Sequence, residues 1–95
     1  MLRMAKRGAK KATTPRKPTE TMLKRDVVLM REVLAERLNE LRCARDLSQA
    51  ALADYAGVDR KTINRIENGH FSPALDTIVR LSVALGISPS ELLIY

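Results

Sequence analysis

Five side chains that can hydrogen-bond or carry charge fall in one short run, Arg60-Lys61-Thr62-Ile63-Asn64-Arg65-Ile66. Their chemistry suits base edges. A guanidinium forks onto guanine, an amide onto adenine, and a threonine methyl meets the methyl of thymine. Only Ile63 and Ile66 in this run are apolar. They lie one helical turn apart, so a helix here needs only a narrow buried stripe. Its remaining face is cationic and amide-bearing, which fits a major groove. Any single residue of the set could instead belong to a plain solvated face. Lys61 and Arg65 together carry most of the weight. Asn64, on helical spacing, can point sideways.

Two neighbouring elements must position that face. Ser48 can cap a short helix with its hydroxyl. Leu52, Ala53 and Ala56 then make one apolar edge. Gly57 follows, where a left-handed residue ends a helix without steric cost. Val58 fills the corner and Asp59 caps the second helix. Asn68-Gly69 closes it with another left-handed turn. The whole reads as helix, tight turn, helix over residues 48–69.

On either side the pattern stays helical. From about Thr21 to Arg45, Val27, Met30, Leu34, Leu38 and Leu41 recur at three or four positions, tracing one face. Ser72-Pro73 opens the next element, with Pro in a first turn. Leu75, Ile78, Leu81, Ala84 and Leu85 then form a buried stripe that Gly86 stops. Ser88-Pro89-Ser90-Glu91 is a capping box that starts a last helix, Pro89 to about Ile94. One short turn cannot bury all of Leu92, Leu93, Ile94 and Tyr95, so this cluster is expected to meet a partner. The opposing reading keeps Leu92 and Leu93 in the core.

Composition limits the alternatives. Ninety-five residues allow one small domain. No apolar run approaches a membrane span. Residues 1–11 are basic but lead into no apolar segment, so a secretory signal is not expected there. The single cysteine, Cys43, fits a reducing cytoplasm and reads as a packing residue. One histidine allows no His/Cys metal cluster, and no cofactor is expected. No nucleophile–base pair, paired-carboxylate site or phosphate-cradling glycine loop is present, so an enzyme is not expected. The net charge of +6 is uneven: residues 1–25 hold nine Lys/Arg and one Glu, whereas residues 26–95 hold eight Lys/Arg and ten Asp/Glu. The basicity therefore sits in residues 1–20, read as a disordered arm. That arm either lies along phosphates or is a solvated tail.

Residues 48–69 resemble the helix-turn-helix of the phage repressor/Cro family, also called Xre-like. The resemblance is carried by Leu47-Ser48-Gln49, Leu52-Ala53, Gly57-Val58, Thr62-Ile63 and above all Arg65-Ile66-Glu67-Asn68-Gly69. It continues through Pro73, Leu75-Asp76-Thr77, Leu85-Gly86 and Glu91-Leu92-Leu93, covering roughly 34–94. It implies an all-α, five-helix, lambda-repressor-like domain over 21–95, behind the basic arm 1–20. It implies base contacts from Arg60, Lys61, Thr62, Asn64 and Arg65. Phosphate contacts are implied for Arg42, Ser48, Gln49, Asn68 and His70. It further implies an ion pair between Arg42 and Glu67, and a two-fold contact at Leu92, Leu93, Ile94 and Tyr95. Tyr55 has no matching role; it is either core or a phosphate donor.

The family's first helix usually begins near Arg31 or Leu34, so Asp26-Val27-Val28-Leu29-Met30 is a departure. It either covers a partner subunit or packs on its own domain. The function implied is sequence-specific binding of duplex DNA by a cytoplasmic homodimer at a palindromic operator. Two other readings share the fold: an antitoxin-like protein that binds a protein partner, and a restriction–modification controller.

Overall fold

The computed structural model describes residues 14–94, so most of the basic arm and Tyr95 lie outside the described residues. Among the described residues there are five helices: α1 Glu20–Ala44, α2 Gln49–Ala56, α3 Arg60–Glu67, α4 Leu75–Leu85 and α5 Pro89–Leu92. None is long and apolar enough to cross a membrane.

Each helix starts and stops for a local reason. The Thr19 hydroxyl accepts from the Met22 amide at 3.1 Å and opens α1. Ser48 accepts from the Ala51 amide at 3.0 Å and opens α2. Ser88 and Glu91 form the complete capping box of α5. Asp59 does stand at the N-cap of α3, but its side chain makes no capping bond. Pro73 lies outside α4, whose N-cap is Ala74. The end of α1 was not legible as a glycine turn. Asp46 takes φ of +54°, and the amides of Asp46 and Leu47 bond back to Cys43 and Arg42. This is a Schellman closure built on aspartate, which tolerates the left-handed region better than most residues.

The turn between α2 and α3 depends on Gly57, at φ +72°. A Cβ there would also approach Arg80 Nη1 to 3.0 Å. Gly57→Ala is expected to cost about 1–2 kcal/mol, mostly from the backbone strain. The midpoint of chemical denaturation measures it.

The core joins Leu34 and Leu38 of α1, Leu52, Ala53 and Ala56 of α2, Ile63 and Ile66 of α3, Ile78, Leu81 and Leu85 of α4, and Leu92 of α5. Helix α1 packs on α3 and α5, and α2 packs on α3 and α4. The one buried polar side chain among the described residues, Ser82, donates to the Ile78 carbonyl at 2.7 Å.

Three expectations about burial are corrected, the first being that Cys43 packs: it is exposed. Leu75 is exposed, because it begins α4 before that helix meets the core. Leu92 is fully buried and closes the core at α5, so it is no partner contact; Leu93 and Ile94 stay exposed. On α1 only Leu34 and Leu38 of the expected face are buried, Leu41 is half-buried, and Val27 and Met30 are exposed. The buried residues of α1, Leu34, Ala35 and Leu38, all lie in its second half.

Candidate nucleic-acid interface

Helix α3 buries Ile63 and Ile66 and turns its other side outward. Arg60, Lys61, Asn64 and Arg65 are exposed on that side, while Thr62 is half-buried at its margin. None of the three cations pairs with an acid; the ion pairs among the described residues are Arg25–Asp26 and Arg42–Glu67. The Arg65 guanidinium lies 5.9 Å from the centroid of the Phe71 ring. That is the outer limit of a cation–π contact, and it biases where the guanidinium rests.

The one acid of α3 faces inward. Glu67 accepts from Arg42 Nε at 2.7 Å and from Arg42 Nη2 at 2.9 Å. Asn39 Nδ2 and Gln49 Nε2 donate to the same carboxylate, each at 3.1 Å. The pair is largely dry, with the Arg42 and Glu67 side chains 12% and 6% exposed. Arg42 Nη1 also donates to the Leu47 carbonyl at 2.8 Å, the carbonyl that the Asp46 turn presents. Its guanidinium thus faces the interior, and little of it is left for a phosphate. Burial pushes the Glu67 pKa up, but the hydrogen bonds from Arg42, Asn39 and Gln49 and the Arg42 charge outweigh this. The carboxyl is held below its usual range. Arg42 is raised further, first by its hydrogen bond to Glu67 and against its own desolvation.

This cluster locks three helices together. Asn39 and Arg42 come from α1, Gln49 from α2 and Glu67 from α3. A bidentate guanidinium–carboxylate contact fixes orientation as well as distance. It therefore sets the angle at which α3 is held. Nothing in the helix-turn-helix pattern marks Asn39, yet it lies three residues before Arg42 on the same helical face. That spacing is the signal that could have found it.

From Gln49 the hydrogen bonds continue outward. Its Oε1 accepts from Asn64 Nδ2 at 3.3 Å, and Asn64 Oδ1 accepts from Asn68 Nδ2 at 3.2 Å. So Asn64 is tethered toward α2, and Gln49, Asn64 and Asn68 form one amide chain along the outer surface. Ser48 caps α2 beside this chain, and His70 is exposed in the loop beyond α3. Tyr55 is exposed too, which removes it from the core.

Comparison with known proteins follows the same residues. The helix-turn-helix model HTH_3 matches residues 38–92. The chain belongs to this family. Among its relatives is the SPbeta prophage-derived HTH-type transcriptional regulator YonR of Bacillus subtilis, 36% identical over 64% of this chain and 56% of that protein. The first curated relatives are longer: the chain spans between 30% and 56% of their lengths. Two solved helix-turn-helix structures superpose well. The restriction-modification controller protein C.AhdI of Aeromonas hydrophila is 40% identical with a TM-score of 0.63, covering 72% of this chain and 97% of its own. The hypothetical transcription factor NHTF of Neisseria is 30% identical with a TM-score of 0.67, covering 88% of this chain and 90% of its own.

Proposed function

We propose that the chain is a cytoplasmic transcriptional regulator that binds duplex DNA sequence-specifically, as a homodimer on a palindromic operator. The observation that carries this is the outer face of α3. It holds Arg60, Lys61 and Arg65 exposed and unpaired, on a helix whose only acid is turned inward to Arg42. Unneutralised cations on a rigid helix suit a groove lined by phosphates. In this reading Arg60, Lys61, Thr62 and Arg65 reach base edges, with Asn64 at their side. Ser48, Gln49, Asn68 and His70 grip phosphates, aided by the free amides at the start of α2. No catalytic step is assigned to the chain.

The match over nearly the whole length of C.AhdI favours a restriction–modification controller as the second, narrower reading. Footprinting of a bound duplex tests the two-fold mode. Two protected major-groove patches about 10 base pairs apart are expected. A single protected patch would rule out the homodimer on its palindrome.

The basic arm gives a separate expectation. The basic residues before α1 add phosphate contacts in this reading, so deleting 1–18, which keeps the Thr19 cap of α1, should flatten the dependence of affinity on salt while keeping the preferred site. A changed site preference would contradict that role.

A further inference from the structure

We infer that the first turns of α1, with the groove beside them, form the seat of a second copy of this chain. The inference rests on the proposed homodimer and says which surface builds it. Leu23, Val27, Val28, Leu29 and Met30 are all exposed within a few residues. Such a concentration of apolar side chains on a small domain marks a surface that is covered in use. Leu23, Val27 and Met30 are spaced four and three apart and extend the stripe whose Leu34 is buried in the chain's own core. That is the heptad spacing of a seam between helices. It points to a helical occupant.

The seam opens on a groove of about 410 Å³, walled across from α1 by Phe71, Pro73 and Leu93. Arg31 Nε donates to Ser72 Oγ at 2.8 Å and bridges the two walls. The groove joins the C-terminal residues to the extension in one surface. By themselves, Leu93 and Ile94 are the only described residues of the C-terminal cluster that remain exposed. Two side chains fall far short of the roughly 800 Å² per partner of a standard interface. The extension adds five more exposed apolar side chains beside them.

Charge argues for a copy of the chain over DNA or a basic arm. Residues 20–32 carry Glu20, Asp26 and Glu32 against Lys24, Arg25 and Arg31, so the strip has no net charge. An antiparallel copy meets both signs along its length, and no like-charge block opposes it. A phosphate backbone finds no net attraction there.

The test uses the whole chain in sedimentation equilibrium. Val27→Glu with Met30→Glu alters two exposed positions outside the core, so helix content should stay unchanged. The double variant is expected to raise the dimer dissociation constant about 100-fold. Val79→Glu with Val83→Glu, on the exposed stripe of α4, is expected to leave it unchanged. A wild-type dimer that survives the α1 change overturns this surface and leaves the homodimer standing. Loss of the dimer through the α4 change alone does the same. A wild type that stays monomeric at every concentration, with or without selected duplex, overturns both. If the double variant misfolds, Val27→Cys in a Cys43→Ser background replaces it. Oxidation is then expected to link two copies, and the absence of a cross-link in a wild-type-like dimer overturns the surface.

Discussion

Glu67→Ala is expected to lower the free energy of unfolding by about 3–5 kcal/mol, because it strands a buried guanidinium. The intact pair contributes less than that, since bringing both charges out of water is costly. The asymmetry is what makes the deletion severe. Arg42 would keep its bond to the Leu47 carbonyl and lose its other two. Asn39 and Gln49 would lose an acceptor at the same time. For a chain of this size the melting temperature should fall on the order of 15 °C or more. A loss below about 1 kcal/mol would put the pair with ordinary surface ion pairs and remove it as the brace of α3.

The same pair gives a pH signature. The Glu67 carboxyl is held below its usual range in the folded chain. Its stabilisation is therefore complete above the unfolded carboxyl value of about 4.3 and is lost as pH falls through the lower folded value. Wild-type stability should drop in that acid window, and Glu67→Ala should flatten the drop. Denaturant titrations at a series of pH values measure both.

Arg65→Ala is expected to weaken binding to the preferred duplex by about 1–3 kcal/mol and to relax one base position. The reason is its placement. Arg65 stands on the outer face of α3, has no acidic partner, and is biased toward the Phe71 ring. A guanidinium whose resting place is biased, even weakly, loses somewhat less freedom when it meets a base. Phe71 is half-buried, so its ring is a steady support. Removing Arg65 should leave stability nearly unchanged, since the side chain braces nothing in the core. Equal weakening on every sequence would make Arg65 a phosphate contact.

Much of this architecture is written in short-range signals. The cap at Ser48, the left-handed glycines at 57, 69 and 86, and the capping box at Ser88 each follow from the chemistry of a few adjacent residues. The division of α3 into a narrow apolar stripe and a polar face is equally local. What was not legible depends on what covers what. Leu75 and Leu92 are both leucines on helical spacing, yet one is exposed and the other buried. Periodicity assigns a face; it does not say where the neighbouring helices stop. The same limit left open whether Val27 and Met30 pack on their own domain; they are exposed. The Asp46 turn was concealed because no glycine marks it. Asn39 and the outward amide chain from Gln49 through Asn64 needed three helices in place before they met.

Binding-site selection from random duplex DNA, with the whole chain at near-physiological ionic strength, tests most directly whether the face of α3 reads base sequence. A palindrome whose half-sites lie about 10 base pairs apart is expected, with altered bases recovered when Arg60, Lys61 or Arg65 is replaced. Recovery of no consensus, with weak binding that added salt abolishes, would contradict it and leave only the basic arm in contact with DNA.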